Sequence, residues 1–233
     1  TLFFSGVVYW LNAKRRKTQL HRKLAEMRMT ALRAQMNPHF IFNALGSVQL
    51  LINTSAIREA NLYLSKFAQL LRITLERSET EGSTLEDEIE ALKLYIDLEA
   101  LRFKFQYSIE VDEAIQADKV QFPTLLLQPI VENAVKHGLA PKANEGKLKL
   151  RFDLAGKALR CTIEDNGVGR GNAKKSKHEN SESRKSFGIQ IARERLQLIN
   201  STRIDPLKIV DLTDANGKSA GTLVEITLPV IHL

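Results

Sequence analysis

The chain has 233 residues, with 34 lysines and arginines against 27 aspartates and glutamates, a net charge of +7 and 43% apolar residues. This composition supports one or two domains with real cores and excludes a disordered or fibrous chain. The positive charge gathers at "AKRRK" (13–17) and between Arg170 and Lys185, not in one aromatic-interleaved stripe, so no nucleic-acid partner is expected.

The first element is "LFFSGVVYWL" (2–11), followed at once by Lys14, Arg15, Arg16 and Lys17. A bilayer needs about 20 apolar residues, and a signal peptide carries its basic cluster before the apolar run. The segment therefore reads as the end of a transmembrane helix, with Tyr9 and Trp10 as aromatic belt and the basic cluster on the cytoplasmic face. That places the chain at the inner (cytoplasmic) membrane, with the region that follows on the cytoplasmic side.

Apolar or small residues then recur at Leu20, Leu24, Met27, Ala31, Ala34, Pro38, Ile41, Leu45, Val48 and Ile52, in alternating steps of four and three. This is a heptad seam. Pro38 lies on it without shifting the register, which predicts a helix kinked at the proline and not ended there. "INTS" (52–55) reads as a turn, and a second helix presents Ile57, Ala60, Leu64, Phe67, Leu71 and Leu75 on one face. The two make an antiparallel hairpin whose exposed seam asks for a second copy, giving a four-helix bundle in a homodimer.

"ETEGST" (79–84) is a break. Ser83 or Thr84 can cap the next helix, with Glu86 or Asp87 reaching back, and Leu85, Ile89, Leu92 and Ile96 form its inner face. Beyond residue 103 the heptads give way to mixed signals. "QYSIEV" alternates as a strand, and "PTLLLQPIVENAVKH" reads as a helix with Gly138 at its C-terminal cap. "KLKLRFDL" and "LRCTIED" form a hairpin around "AGKA", with the lone Cys161 as a small buried hydrophobe. A polar, basic loop (167–186) leads to the helix "FGIQIARERLQLIN", and "LKIVDLT" and "TLVEITLPV" close a second hairpin about "NGK". The fold class is α+β: a helical-hairpin dimerisation domain followed by a two-layer α/β sandwich. The expected divisions are 1–11 the span end, 12–82 coiled coil and helical hairpin, 83–103 a connecting helix, and 104–233 the sandwich.

Three segments carry chemistry. In "VENAVKHG", Asn133, Lys136 and His137 fall on one helical face; an amide oxygen is a hard ligand suited to Mg²⁺, and a lysine meets phosphate charge. In "DNGVG" (165–169), Asp165 ends a strand and can accept from an exocyclic amine, while Gly167 and Gly169 let backbone approach a ligand. "SFGIQIARERL" places Gly188 at a helix start after a long loop, where backbone N–H groups suit a phosphate.

In this order and at these spacings, the three segments resemble the N, G1 and G2 boxes of the GHKL ATP-binding fold, shared by histidine kinases, gyrase-type ATPases and Hsp90-type chaperones. "LRAQMNPHFIFNAL", "YIDLEALRF" (95–103) and "PTLLLQPIVENAVKHGL" further resemble the signature segments of LytS-type sensor histidine kinases. The resemblance implies ATP and Mg²⁺ as cofactors, His39 as phosphoacceptor, Asn133 as the Mg²⁺ ligand and Lys136 on a nucleotide phosphate. It also implies His137 beside base or phosphates, Asp165 reading the adenine amine, and Gly167, Gly169 and Gly188 giving room to nucleotide and lid, the lid spanning 170–186. It implies too a phosphotransfer partner, the receiver aspartate of a response regulator.

This sequence departs from the commoner pattern at Ser186, Ile191 and Gly46. Phe40 stands where many histidine kinases carry a carboxylate base, leaving Glu132 as a candidate base. Gln35 and Asn43, one turn to either side of His39, could hold its tautomer, and Asn43 could orient a water for dephosphorylation. Two other readings compete: a degenerate, nucleotide-binding dimeric adaptor, and an ATPase clamp that releases phosphate without covalent label.

Overall fold

The computed structural model describes residues 38–78, 83–142, 144–156, 158–170, 182–199 and 205–231. The expected span end, its basic cluster and the seam before Pro38 lie outside these residues, as does the helix expected to pass through the proline. Among the described residues no helix is long and apolar enough to cross a membrane. The chain divides into two compact units between Ala60 and Asn61.

The first unit contains α1 (Pro38–Asn53) and the start of α2 (Ile57–Ser78). The turn between them closes with Ser55 in the left-handed region (φ 60°), its N–H donating to Ile52 O at 3.0 Å and that of Ala56 to Leu51 O at 2.8 Å. These are the two crossed bonds of a Schellman ending, which satisfy carbonyls the helix leaves open. On α1, Phe40 and Ala44 are buried, while the seam residues Leu45 and Ile52 stand about half exposed in the single chain.

In the second unit α2 buries Tyr63, Phe67, Leu70 and Thr74. Of the face read from the sequence, Ala60 and Phe67 are buried, while Ile57, Leu64 and Leu75 stand exposed in the single chain. The helix carries two apolar stripes, and the single chain covers only one.

A two-residue ribbon follows, β1 (Ser83–Thr84) paired antiparallel with β3 (Gln121–Phe122). It is too short to leave a period in the sequence. Thr84 then caps α3 (Leu85–Phe103) in a capping box, its hydroxyl accepting from Asp87 N at 3.1 Å and the Asp87 carboxylate accepting from Thr84 N at 2.9 Å. Leu85, Ala91, Leu92, Leu94, Tyr95, Ile96 and Leu98 are all buried. The connecting helix is thus enclosed on more than the one face expected of it.

The sheet comprises β2 (Gln106–Val111), β4 (Lys147–Ala155), β5 (Ala158–Asp165), β6 (Leu207–Thr213) and β7 (Ser219–Pro229), in the order β2-β4-β5-β7-β6. β2 and β4 run parallel and the other pairs antiparallel. Alternate residues Leu148, Leu150, Phe152, Leu159, Cys161, Ile163, Val224, Ile226 and Leu228 are buried. One face of the sheet therefore forms the core, as strand period demands. The helical segment from Gln128 to Lys142 and α5 (Glu182–Ile199) pack together, and the former lies against β4, β5 and β7. The result is the expected two-layer sandwich.

Candidate functional site

The segment expected as one helix from Pro123 is built in three pieces. α4 runs Gln128–Asn133, a π-helical turn covers Ala134–Leu139, and a 3₁₀ turn Ala140–Lys142 follows. The start is delayed because the Glu88 carboxylate of α3 accepts from Leu125 N at 2.7 Å and Leu127 N at 2.9 Å, holding Leu125 at φ 54°. Gly138 is not the helix cap expected of it but an interior residue of the π turn. Its carbonyl accepts from Val168 N at 3.1 Å, a tie from this helix to the "DNGVG" turn. Wide turns of this kind recur at functional sites.

The polar face read from the sequence survives the change of helix type. Glu132, Asn133, Lys136 and His137 are half-buried, while Val131, Ala134, Val135 and Leu139 face the core. Asn133 donates one N–H of Nδ2 to Pro129 O at 2.7 Å, which fixes the amide on the helix and leaves Oδ1 its acceptor capacity. That oxygen suits a hard cation. Lys136 Nζ bonds the Glu132 carboxylate one turn earlier, so the expected phosphate ligand and the candidate base form an ion pair.

Asp165 ends β5 and is 4% exposed. Its Oδ1 accepts from Gly167 N at 2.9 Å. Burial pushes its carboxyl up to about 6, against the lowering effect of the backbone donors Gly167 and Thr222. The glycines here are required by contact. A Cβ on Gly138 would lie 2.6 Å from Asp165 Oδ1, and one on Gly167 would lie 2.4 Å from the Gly138 backbone. Gly169 has φ 71° and would meet Ser219 Oγ at 1.7 Å. Backbone and carboxylate thus approach with no side chain between them.

Neighbours not anticipated from the sequence hold this turn. Asn166 Oδ1 accepts from Lys147 N at 2.7 Å and its Nδ2 donates to Glu145 O at 3.0 Å, while Lys142 Nζ donates to Asn166 O at 2.6 Å. Arg170, where the expected lid begins, makes a two-pronged pair with Asp211 of β6 at 2.6 and 2.8 Å. No local pattern signals partners 19 to 41 residues apart in the chain.

Gly188 does not begin a helix. α5 starts at Glu182, because "ESRKSF" holds no breaker, and the glycine lies within the helix. Its N–H therefore falls beyond the four open donors of a helix start, and the phosphate argument does not apply there. Most of the expected lid (171–181) is outside the described residues. His39 is the second residue of α1 and Asn43 lies one turn on, both in the first unit, whereas the residues above belong to the second. Among the described residues no cluster of His, Cys, Asp and Glu could hold a metal ion.

Residues 27–107 match the family described as histidine kinase, and residues 118–232 the family described as histidine kinase-, DNA gyrase B-, and HSP90-like ATPase. The sensor histidine kinase BtsS of Escherichia coli (strain K12) is 34% identical over 166 residues, covering 69% of this chain and 29% of BtsS. The sensor protein LytS of Oceanobacillus iheyensis is 29% identical over 219 residues, covering 91% of this chain and 36% of LytS. Among solved structures, the histidine kinase domain from Erythrobacter litoralis EL346 blue-light activated histidine kinase aligns with TM-score 0.47 and 18% identity, covering 91% of this chain and 96% of that one. The chain spans about a third of the length of these curated relatives.

Proposed function

Because this chain belongs to the sensor histidine kinases of the LytS type, we propose that it phosphorylates its own His39 from ATP and passes the phosphoryl group to an aspartate of a response regulator. The observation that carries this reading is the pairing of an N-P-H-F histidine on a helix with a downstream site of Asn133, Asp165, Gly138 and Gly167. Neither half performs the reaction alone.

Phosphoryl transfer depends on positioning and on neutralising charge at the reacting oxygens. The neutral imidazole of His39 attacks the γ-phosphorus, a P–N bond forms, the P–O bond to the leaving ADP breaks, and the ring's proton passes to a base. Asp165 accepts the adenine amine, and the glycine contacts leave no room for side chains where the ring lies. Asn133 Oδ1 would hold Mg²⁺, and the ion would supply charge neutralisation at the phosphates. Lys136 leaves Glu132 for a phosphate oxygen, and its departure frees Glu132 to accept the proton. The half-exposed seam of α1 is covered by a second copy, giving a homodimer. The chain's membrane attachment lies at the apolar segment 2–11.

Incubation with γ-labelled ATP is expected to give an acid-labile, base-stable phosphoprotein. A His39→Gln protein that labels as well as the parent refutes the assignment. Steady phosphate release without label would favour an ATPase clamp.

A further inference from the structure

The segment "YIDLEALRF" (95–103) forms the second half of α3 and supplies none of the reacting groups. Tyr95, Ile96 and Leu98 are buried there, whereas Asp97 is half-buried. Its carboxylate accepts from two other elements at once. Oδ2 takes a bond from Lys66 Nζ of α2, 31 residues back along the chain, and Oδ1 takes one from the Tyr107 hydroxyl of β2. Lys66 lies on the buried stripe of α2, beside Tyr63, Phe67 and Leu70.

A fully exposed ion pair would hold these elements weakly, because water and salt screen it. Here the Lys66 and Asp97 side chains are 28% and 21% exposed, and one carboxylate unites three elements, so the two bonds support each other. Burial by itself would push the Asp97 carboxyl up, but the bonds from Lys66 and Tyr107, with the charges of Lys66 and Lys93, hold it below its ordinary value. Burial and the Asp97 carboxylate raise the Tyr107 hydroxyl, which therefore stays a donor. All three residues belong to the second compact unit, which begins inside α2 at Asn61.

In chain order α2, α3 and β2 all stand between His39 and Asn133. Apolar burial of Tyr63, Phe67 and Leu70 holds α2 without fixing its direction, since the hydrophobic effect is non-directional. Two charge-assisted bonds to one carboxylate do fix a direction. A contact that opened in each turnover would leave two half-buried charges and a hydroxyl without partners, a cost that a permanent tie avoids.

We propose that Asp97 is a positioning residue for the phosphorylation of His39. It ties α2, the helix that leads back along the chain to His39, to α3 and to the first strand of the ATP-binding sheet. The tie raises the rate at which bound ATP is used and leaves its affinity alone, as expected of a group that orients reactants without touching them. The inference rests on His39 as phosphoacceptor and on the nucleotide site of the second unit.

The test uses the full 233-residue chain. Single-turnover labelling with saturating γ-labelled Mg-ATP gives the rate, and calorimetric titration with Mg-ADP gives affinity and the fraction of binding-competent sites. Asp97→Asn and Lys66→Met are each expected to slow labelling per competent site about tenfold, with Mg-ADP affinity unchanged. The double variant should be no slower than the slower single one, because either change already breaks the same bond.

Labelling at the parental rate in both single variants would overturn the proposal. Faster labelling would do so too, by marking the tie as a restraint on transfer. Loss of Mg-ADP affinity in step with the rate would mark Asp97 as a packing residue, and full additivity in the double variant would show that the two residues act apart; either result also overturns it. A His39→Gln protein that labels like the parent fails differently, since it removes the phosphoacceptor itself. Should Asp97→Asn not fold, Lys66→Met decides on the same two readouts.

Discussion

Replacing Asp165 with asparagine is expected to make the protein more stable and less able to bind nucleotide. The carboxyl titrates at about 6 in the fold against 3.8 for the free group, because it is 4% exposed at the end of β5. A gap of about two units corresponds to ~3 kcal/mol. Its sign follows from linkage: the folded state binds the proton more tightly, so this contribution is present in full below pH 3.8 and is lost as pH rises through about 6. At pH 8 the parent bears the whole cost of a buried negative charge, and an amide bears none.

Against this gain, Asn can offer one oxygen where Asp offers two to the Gly167 and Thr222 N–H donors. That mismatch costs about 1 kcal/mol. The net is ~2 kcal/mol, or a rise in Tm of about 4 to 8 °C for a chain of this size. Thermal unfolding of parent and Asp165→Asn, followed by circular dichroism from pH 4 to 8, should show the gap widest at pH 8 and shrinking through about pH 6. ATP affinity should fall by about tenfold or more, because an Asn oriented to satisfy Gly167 turns its NH₂ toward the adenine amine. A variant less stable than the parent at pH 8, or a gap that ignores pH, would refute the argument from burial.

Three further substitutions test the scaffold. Glu88→Gln leaves one of the Leu125 and Leu127 N–H groups facing an amide NH₂, and should cost about 2 kcal/mol in urea unfolding; a loss below about 0.5 kcal/mol would exclude it as the clamp on the start of α4. Gly167→Ala drives a Cβ to 2.4 Å from the Gly138 backbone, for an expected loss of about 1 to 3 kcal/mol together with nucleotide binding in calorimetry. Unaltered nucleotide affinity in that variant would mean that the close approach serves the fold alone. Thr84→Ala removes the cap of α3 and should cost about 1 kcal/mol, with labelling of His39 intact once the protein is folded; an unchanged urea midpoint would show that the cap is dispensable.

The sequence disclosed what has a local signature. Heptads gave the helices α1 and α2, alternation gave β2, β4, β5 and β7, and the glycines of "DNGVG" marked the turn where backbone must come close. Thr84 and Asp87 were readable because a capping box closes within three residues. Gly188 was misread, since a glycine after a polar run looks like a helix start when nothing shows how far "ESRKSF" has already wound.

Tertiary structure decided what depends on residues distant in the chain. Glu88 meets backbone 37 and 39 residues away, and Gly138 gives up its helical carbonyl to Val168. The apolar stripe that α2 buries was likewise chosen by packing, for both stripes satisfy the same helical period. Side-chain type and spacing therefore announced which chemistry the chain carries. Its strength and placement, the charge cost at Asp165 among them, follow from desolvation and charge proximity, which exist only once the helices and the sheet are assembled.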